Sequence, residues 1–181
     1  LKDKYGSIEN LQESWHNTSV TFENATIPTF VERGQTGYQT LLNTNTDMHL
    51  YDYNTYLSTK SADCLLTWAE TCKKLTESKK VVGAYYGYMW TFGSYDGTSS
   101  SHAALARVLS SDYIDFIASP INYNERILGM STTFMSFADT VIAYGKLYLL
   151  EQDNRTYMSS SYSGSSWDGS FGFRKGHFSN L

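Results

Sequence analysis

The chain has 181 residues, 41% of them hydrophobic, which suits one folded domain or a piece of a larger one. A net charge of −4 and the absence of any basic run argue against nucleic acid as its main partner, since nothing supplies phosphate contacts. No apolar window approaches the ~20 residues of a membrane span, and no signal-peptide pattern opens the chain.

In chain order, Ile8, Leu11 and Trp15 recur at helical spacing within YGSIENLQESW, with Ser7 positioned to cap the start. From His16 to Met48 no period persists. Gly, Pro, Thr and Asn mark a long loop there, with room for a short helix around Thr36 to Leu42. The longest periodic segment, His49 to Ser78, predicts a helix. Its inner face would carry Leu50, Tyr53, Leu57, Cys64, Trp68, Cys72 and Leu75. Lys73 and Lys74 near its end suit the negative pole of the helix. Cys64 and Cys72, two turns apart on that helix, lie too far from each other for a disulfide and read as small core residues.

VVGAYYGYMW (81–90) is β-branched and aromatic, bounded by lysines and Gly93, and predicts a strand. SSSHAALARVLSS predicts a helix with a Ser cap, and His102 in its first turn reads as solvent-facing. YIDFIAS (113–119) predicts a second strand, stopped by Pro120. TTFMSFADTVIAYG predicts a helix that buries Phe134, Phe137, Val141 and Ile142 and ends at Gly145. KLYLL predicts a third strand, with Glu151 at its end. Residues 1–157 form the ordered unit in this reading. Residues 158–181, rich in Ser and Gly, read as a tail or lid.

Strands alternating with helices predict an α/β fold with a parallel sheet, and sites in such folds lie at the carboxyl ends of the strands. Each predicted strand delivers polar or aromatic groups there. The first offers Tyr88 and Trp90, the second Ser119, Asn122 and Tyr123, and the third Glu151 and Asp153. Aromatic residues make up 15% of the chain, a level compatible both with sugar stacking and with an aromatic-rich core.

LKDKYGSIENLQESW, YIDFIASPINYNER and FADTVIAYGKLYLLEQDNRT together resemble the second half of a clan-A glycoside hydrolase barrel, nearest the family 42 β-galactosidases. The resemblance covers roughly Leu1 to Tyr157. It implies a partial (β/α) barrel, a TIM-like half-barrel with parallel strands, acting on β-galactosides or related β-glycosides. It implies Glu151 as the nucleophile, with Asn122 or Tyr123 hydrogen-bonded to it and Tyr88 and Trp90 lining a sugar subsite. The family's acid/base glutamate falls upstream of Leu1, itself not a natural start, which leaves room for a leader or a whole upstream segment ahead of it. Either the chain is a fragment, or a half-barrel completes itself as a homo-oligomer.

Retaining glycosidases need a second carboxylate about 5–5.5 Å from the nucleophile. The candidates within the chain are Glu125 and Asp153, although Asp153 with Arg155 also reads as a loop-pinning ion pair and Glu125 as an exposed charge. The four histidines show no metal spacing, and no cofactor is expected. The alternative function is a non-catalytic carbohydrate-binding or scaffold fragment of such a barrel. The compartment stays open.

Overall fold

The computed structural model describes residues 1–35, 42–88, 101–121 and 134–151. Helix α1 (Lys2–Tyr5) leads into α2 (Ile8–Trp15), whose cap is the expected one: the Ser7 hydroxyl accepts the Asn10 N–H at 3.3 Å. The long loop carries a short helix, α3 (Phe30–Gln35), while the helix expected around Thr36 to Leu42 falls on residues 36–41, outside the described residues. Its start is a reciprocal cap. Glu32 accepts the Thr29 N–H at 2.7 Å and donates its own N–H to the Thr29 hydroxyl at 3.2 Å.

Helix α4 (Met48–Leu75) answers the helix predicted over His49 to Ser78 and buries Leu50 as expected, but otherwise it buries a different face. Leu50, Ser58, Ala62 and Ala69 are buried, with Leu65 and Leu66 packed against the core; Trp68, Leu75, Cys64 and Cys72 are exposed. Hydropathy picked out the large residues. Packing chose the small ones, because a stripe at 58, 62 and 69 lets the helix approach its neighbours closely. The two cysteines are therefore free surface thiols, not core residues.

Three strands follow: β1 (Gly83–Tyr85), β2 (Phe116–Pro120) and β3 (Leu147–Glu151), separated by α5 (Leu105–Leu109) and α6 (Ala138–Ala143). They form one sheet in the order β1-β2-β3, parallel throughout. The predicted α/β alternation is thus realised. Strand β2 is shorter than predicted and has Pro120 as its last residue instead of being stopped ahead of it, while β3 keeps its five residues one position later. Helix α6 begins after Phe134, which is exposed and forms a bridge with Ile121; Ile142 is also exposed, whereas Val141 is fully buried and Phe137 packs on the core. The chain leaves α6 through Gly145 at φ 71°, as expected.

Register divides the sheet into two faces. Ile117 and Tyr148 are paired and pack on the helix side with Val108, Leu109 and Val141. On the other side run Gly83, Phe116 and Leu147, then Tyr85, Ala118 and Leu149, then Pro120 and Glu151. That face is open along the outer strands, where Tyr85 is 54% exposed, Leu147 62% and Leu149 46%, while Ala118 and Pro120 on the central strand are buried. Phe116 lies flat across Gly83, where an added Cβ would stand 2.4 Å from the ring, so no larger residue fits without displacing it. None of the described helices is long and apolar enough to cross a membrane.

At the amino ends of the strands, one residue binds all three. Asp115 donates its N–H to Val82 O at 2.7 Å and accepts the Leu147 N–H at 3.0 Å through its carbonyl. Its carboxylate Oδ2 accepts the Val82 N–H at 2.6 Å and the Lys73 ammonium at 2.5 Å. Burial pushes the Asp115 carboxyl up, but the hydrogen bonds from Lys73 and Val82 and the charges of Lys73 and Lys146 outweigh it and hold it below the usual carboxylate range. A depressed carboxyl contributes stability above its unfolded pKa of about 3.9 and loses it as pH falls through the lower folded value. Asp115→Asn should therefore destabilise the fold at neutral pH by roughly 1–3 kcal/mol, the cost of leaving a nearly buried ammonium without its counter-ion. In thermal melts the gap between variant and wild type should close as pH drops from about 4 downwards.

Candidate active site at the carboxyl ends of the strands

Glu151 is the last residue of β3, exposed, opposite Pro120 and on the open face. Parallel pairing brings the carboxyl ends of β1 and β2 to the same side of the sheet. With neighbouring strands about 4.8 Å apart, Tyr85 at the end of β1 lies about 10 Å from Leu149 across β2, two residues short of Glu151.

Beyond β1 the chain forms an aromatic nest. Tyr86 is buried and donates its hydroxyl hydrogen to Ser101 O at 3.1 Å. Gly87 follows at φ 86°, and a Cβ there would stand 2.5 Å from Ser136 Oγ, so both conformation and space require glycine. His102 stacks on Tyr86 at 4.6 Å between ring centroids and meets Tyr88 edge-on at 5.1 Å. Its Nδ1 accepts the Tyr88 N–H at 3.2 Å, which leaves Nε2 to carry the proton of the neutral ring. Burial holds the His102 pKa below its ordinary value and pushes the Tyr86 phenol up to about 12.

At the end of β2, Ser119 is fully buried and its hydroxyl is hydrogen-bonded to the Tyr148 hydroxyl from β3. The Met135 N–H reaches Pro120 O at 3.4 Å, so the chain re-enters against the end of β2 just before α6. Ser119 and Tyr148 face the helices and hold β2 to β3. They do not open toward Glu151.

Of the residues singled out in the sequence, Glu151 and Tyr88 come to the same end of one sheet, two strands apart. Trp90, Asn122, Tyr123, Glu125, Asp153 and Arg155 lie outside the described residues. So do residues 158–181. His102 was expected on a solvent-facing helical turn; it is lodged instead between two tyrosines, and α5 begins only at Leu105. Nothing local signals this, because the contact joins positions 14 to 16 residues apart. Among the described residues, no group of three or more His, Cys, Asp and Glu side chains could hold a metal ion.

Comparison with known proteins identifies no relative. No protein-family model matches the chain, and neither a curated protein nor a solved structure matches it.

The nest makes a pH-dependent contribution. Because His102 is depressed, the folded state favours its neutral form; stability is full above the unfolded pKa of about 6.5 and falls as pH drops through the lower folded value. In an NMR titration the His102 ring should titrate below the ordinary histidine value of about 6.5. A His102 midpoint at or above that value would contradict the buried nest.

Proposed function

We propose that the chain is the second half of a retaining glycoside hydrolase barrel acting on β-galactosides or related β-glycosides. The observation that carries this reading is an exposed carboxylate, Glu151, at the carboxyl end of the third of three consecutive parallel strands. It stands on the open face, which in a closed barrel would be the interior, and an aromatic nest occupies the same end of the sheet. The resemblance of the segments around 113–126 and 137–156 to family 42 β-galactosidases supports the same assignment.

In this mechanism a Glu151 carboxylate oxygen attacks the anomeric carbon, the glycosidic C–O bond breaks, and its electron pair leaves with the aglycone oxygen. A second carboxylate protonates that oxygen in the first step and takes a proton from water in the second. Water then breaks the ester to Glu151 and restores net configuration. Tyr88, with Trp90, would line the sugar subsite. Asn122 or Tyr123 would orient the nucleophile, Arg155 would anchor the loop after β3, and Glu125 or Asp153 would supply the proton.

One observation favours the second reading, a non-catalytic carbohydrate-binding or scaffold fragment. The described ends of β1 and β2 offer Tyr86, Tyr88, Ser119, Pro120 and Ile121 and no carboxylate. Any acid/base within reach of Glu151 must come from elsewhere. A nitrophenolate leaving group separates the two readings because it departs without protonation. With p-nitrophenyl β-galactoside the catalytic reading predicts a burst of nitrophenolate stoichiometric with protein, lost in Glu151→Gln with the fold intact. An undiminished burst in the folded variant would remove Glu151 from the mechanism.

The open face makes assembly part of the proposal. A second copy related by a two-fold axis would cover Tyr85, Leu147 and Leu149 in a self-complementary contact, each Å² removed from water contributing about 25 cal/mol. Sedimentation at low micromolar concentration should find a homodimer or higher oligomer. A folded monomer there would sink the self-completing half-barrel.

A further inference from the structure

A separate cavity of about 570 Å³ lies between α1, the first turns of α4 and the segment around residues 25–28, within the size range of small-ligand pockets. Its lining is aromatic: Trp15, His49, Tyr51, Tyr53 and Tyr56. Trp15 and His49 meet at 5.9 Å between ring centroids, while Tyr51 and Tyr56 keep large parts of their rings exposed. Ile27 and Pro28 contribute an apolar part of the lining.

Asp52 also lines this cavity and is only 8% exposed. Its Oδ2 accepts the Tyr5 hydroxyl at 2.6 Å and the Trp15 indole N–H at 2.8 Å, and its Oδ1 pairs with the Lys4 ammonium. A carboxylate has about four acceptor positions, so one remains, on the oxygen that Lys4 holds. The network fixes the Trp15 indole by its edge and leaves its faces for packing.

Electrostatics narrows the ligand. A cation would compete with the protein's own: Lys4 stands 5.6 Å from the Tyr51 ring, Arg33 5.3 Å from Tyr53 and Lys60 6.0 Å from Tyr56. An anion would meet Asp3 and Asp52 in the same lining. What fits is a neutral molecule with hydroxyl donors around its edge and apolar C–H faces to lay on aromatic rings. We propose that this cavity is a saccharide-binding site for a neutral hexose unit, distinct from the strand ends and independent of Glu151. It would hold a sugar by stacking on Tyr51, Tyr56 and Trp15, with a hydroxyl donating to Asp52.

The test is an NMR titration of the intact chain with methyl β-galactoside and methyl β-glucoside, read at the Trp15 indole N–H, beside glucosamine as a cationic probe and galacturonate as an anionic one. Neutral glycosides should shift that resonance most. Tyr51→Ala and Tyr56→Ala remove exposed rings, and circular dichroism checks that they fold; each should weaken binding about tenfold, or about 1.4 kcal/mol. Glu151→Gln should leave the titration unchanged, so loss of the glycosidase reading would not affect it. No shift at millimolar sugar, tighter binding of either charged probe, or full affinity in both tyrosine variants would overturn the proposal.

Discussion

The sheet depends on what Asp115 does at its amino edge. Its main chain bonds to the residue before β1 and to the first residue of β3, while its carboxylate bonds to Val82 and to Lys73 near the end of α4. Four contacts from one residue set the relative height of three strands and of the helix that precedes them. Register has a period of two, so a slip of one residue would send Ile117 and Tyr148 to the open face and Glu151 to the helix face. The position of the candidate nucleophile is thus fixed at the opposite end of the sheet from where it would act. Lys73 lends itself to this role because its ammonium also donates to Lys80 O at 3.0 Å, closing the turn between α4 and β1.

The amino edge is held by charged groups, whereas the described contacts at the carboxyl edge are between neutral ones. Asp115, Lys73 and Lys146 spend their charge on backbone groups and on one another; the Lys146 ammonium bonds to Ser111 O at 2.9 Å. At the carboxyl edge the buried contacts are neutral: Ser119 with Tyr148, and Tyr86 and Tyr88 with His102. Among the described residues at that edge, Glu151 is the one charged group, and the contacts around it are neutral.

The alternation of elements was legible because β-branched and aromatic runs separated by helical spacing leave few other folds, and parallel pairing then dictates where Glu151 stands. The faces were less legible. On α4 the residues that pack are Ser58, Ala62 and Ala69, chosen for size, and a reading by hydropathy takes Trp68 and Leu75 instead. Phe134 likewise reads as core by hydropathy but sits ahead of α6, where its neighbours are Ile121 and Tyr148 at the sheet's edge. His102 was missed for a different reason: its partners are made adjacent only by the chain folding back over the end of β1. The Asp52 network was invisible in the same way, since Tyr5, Trp15 and Asp52 are separated by 10 to 47 positions.

The open face carries the last step of the argument. Tyr85, Leu147 and Leu149 are the residues that a water-facing sheet would replace with polar ones, because alternation in a half-exposed strand places polar groups outward. Here both sides of β3 are apolar, the pattern of a strand buried on two faces. Among the described residues no strand pairs with the outer edge of β1 or of β3. In the half-barrel we propose, further parallel strands would lie on that face and stand beside Glu151 at its rim, so the apolar side chains of Leu147 and Leu149 and the carboxylate of Glu151 would belong to one interior.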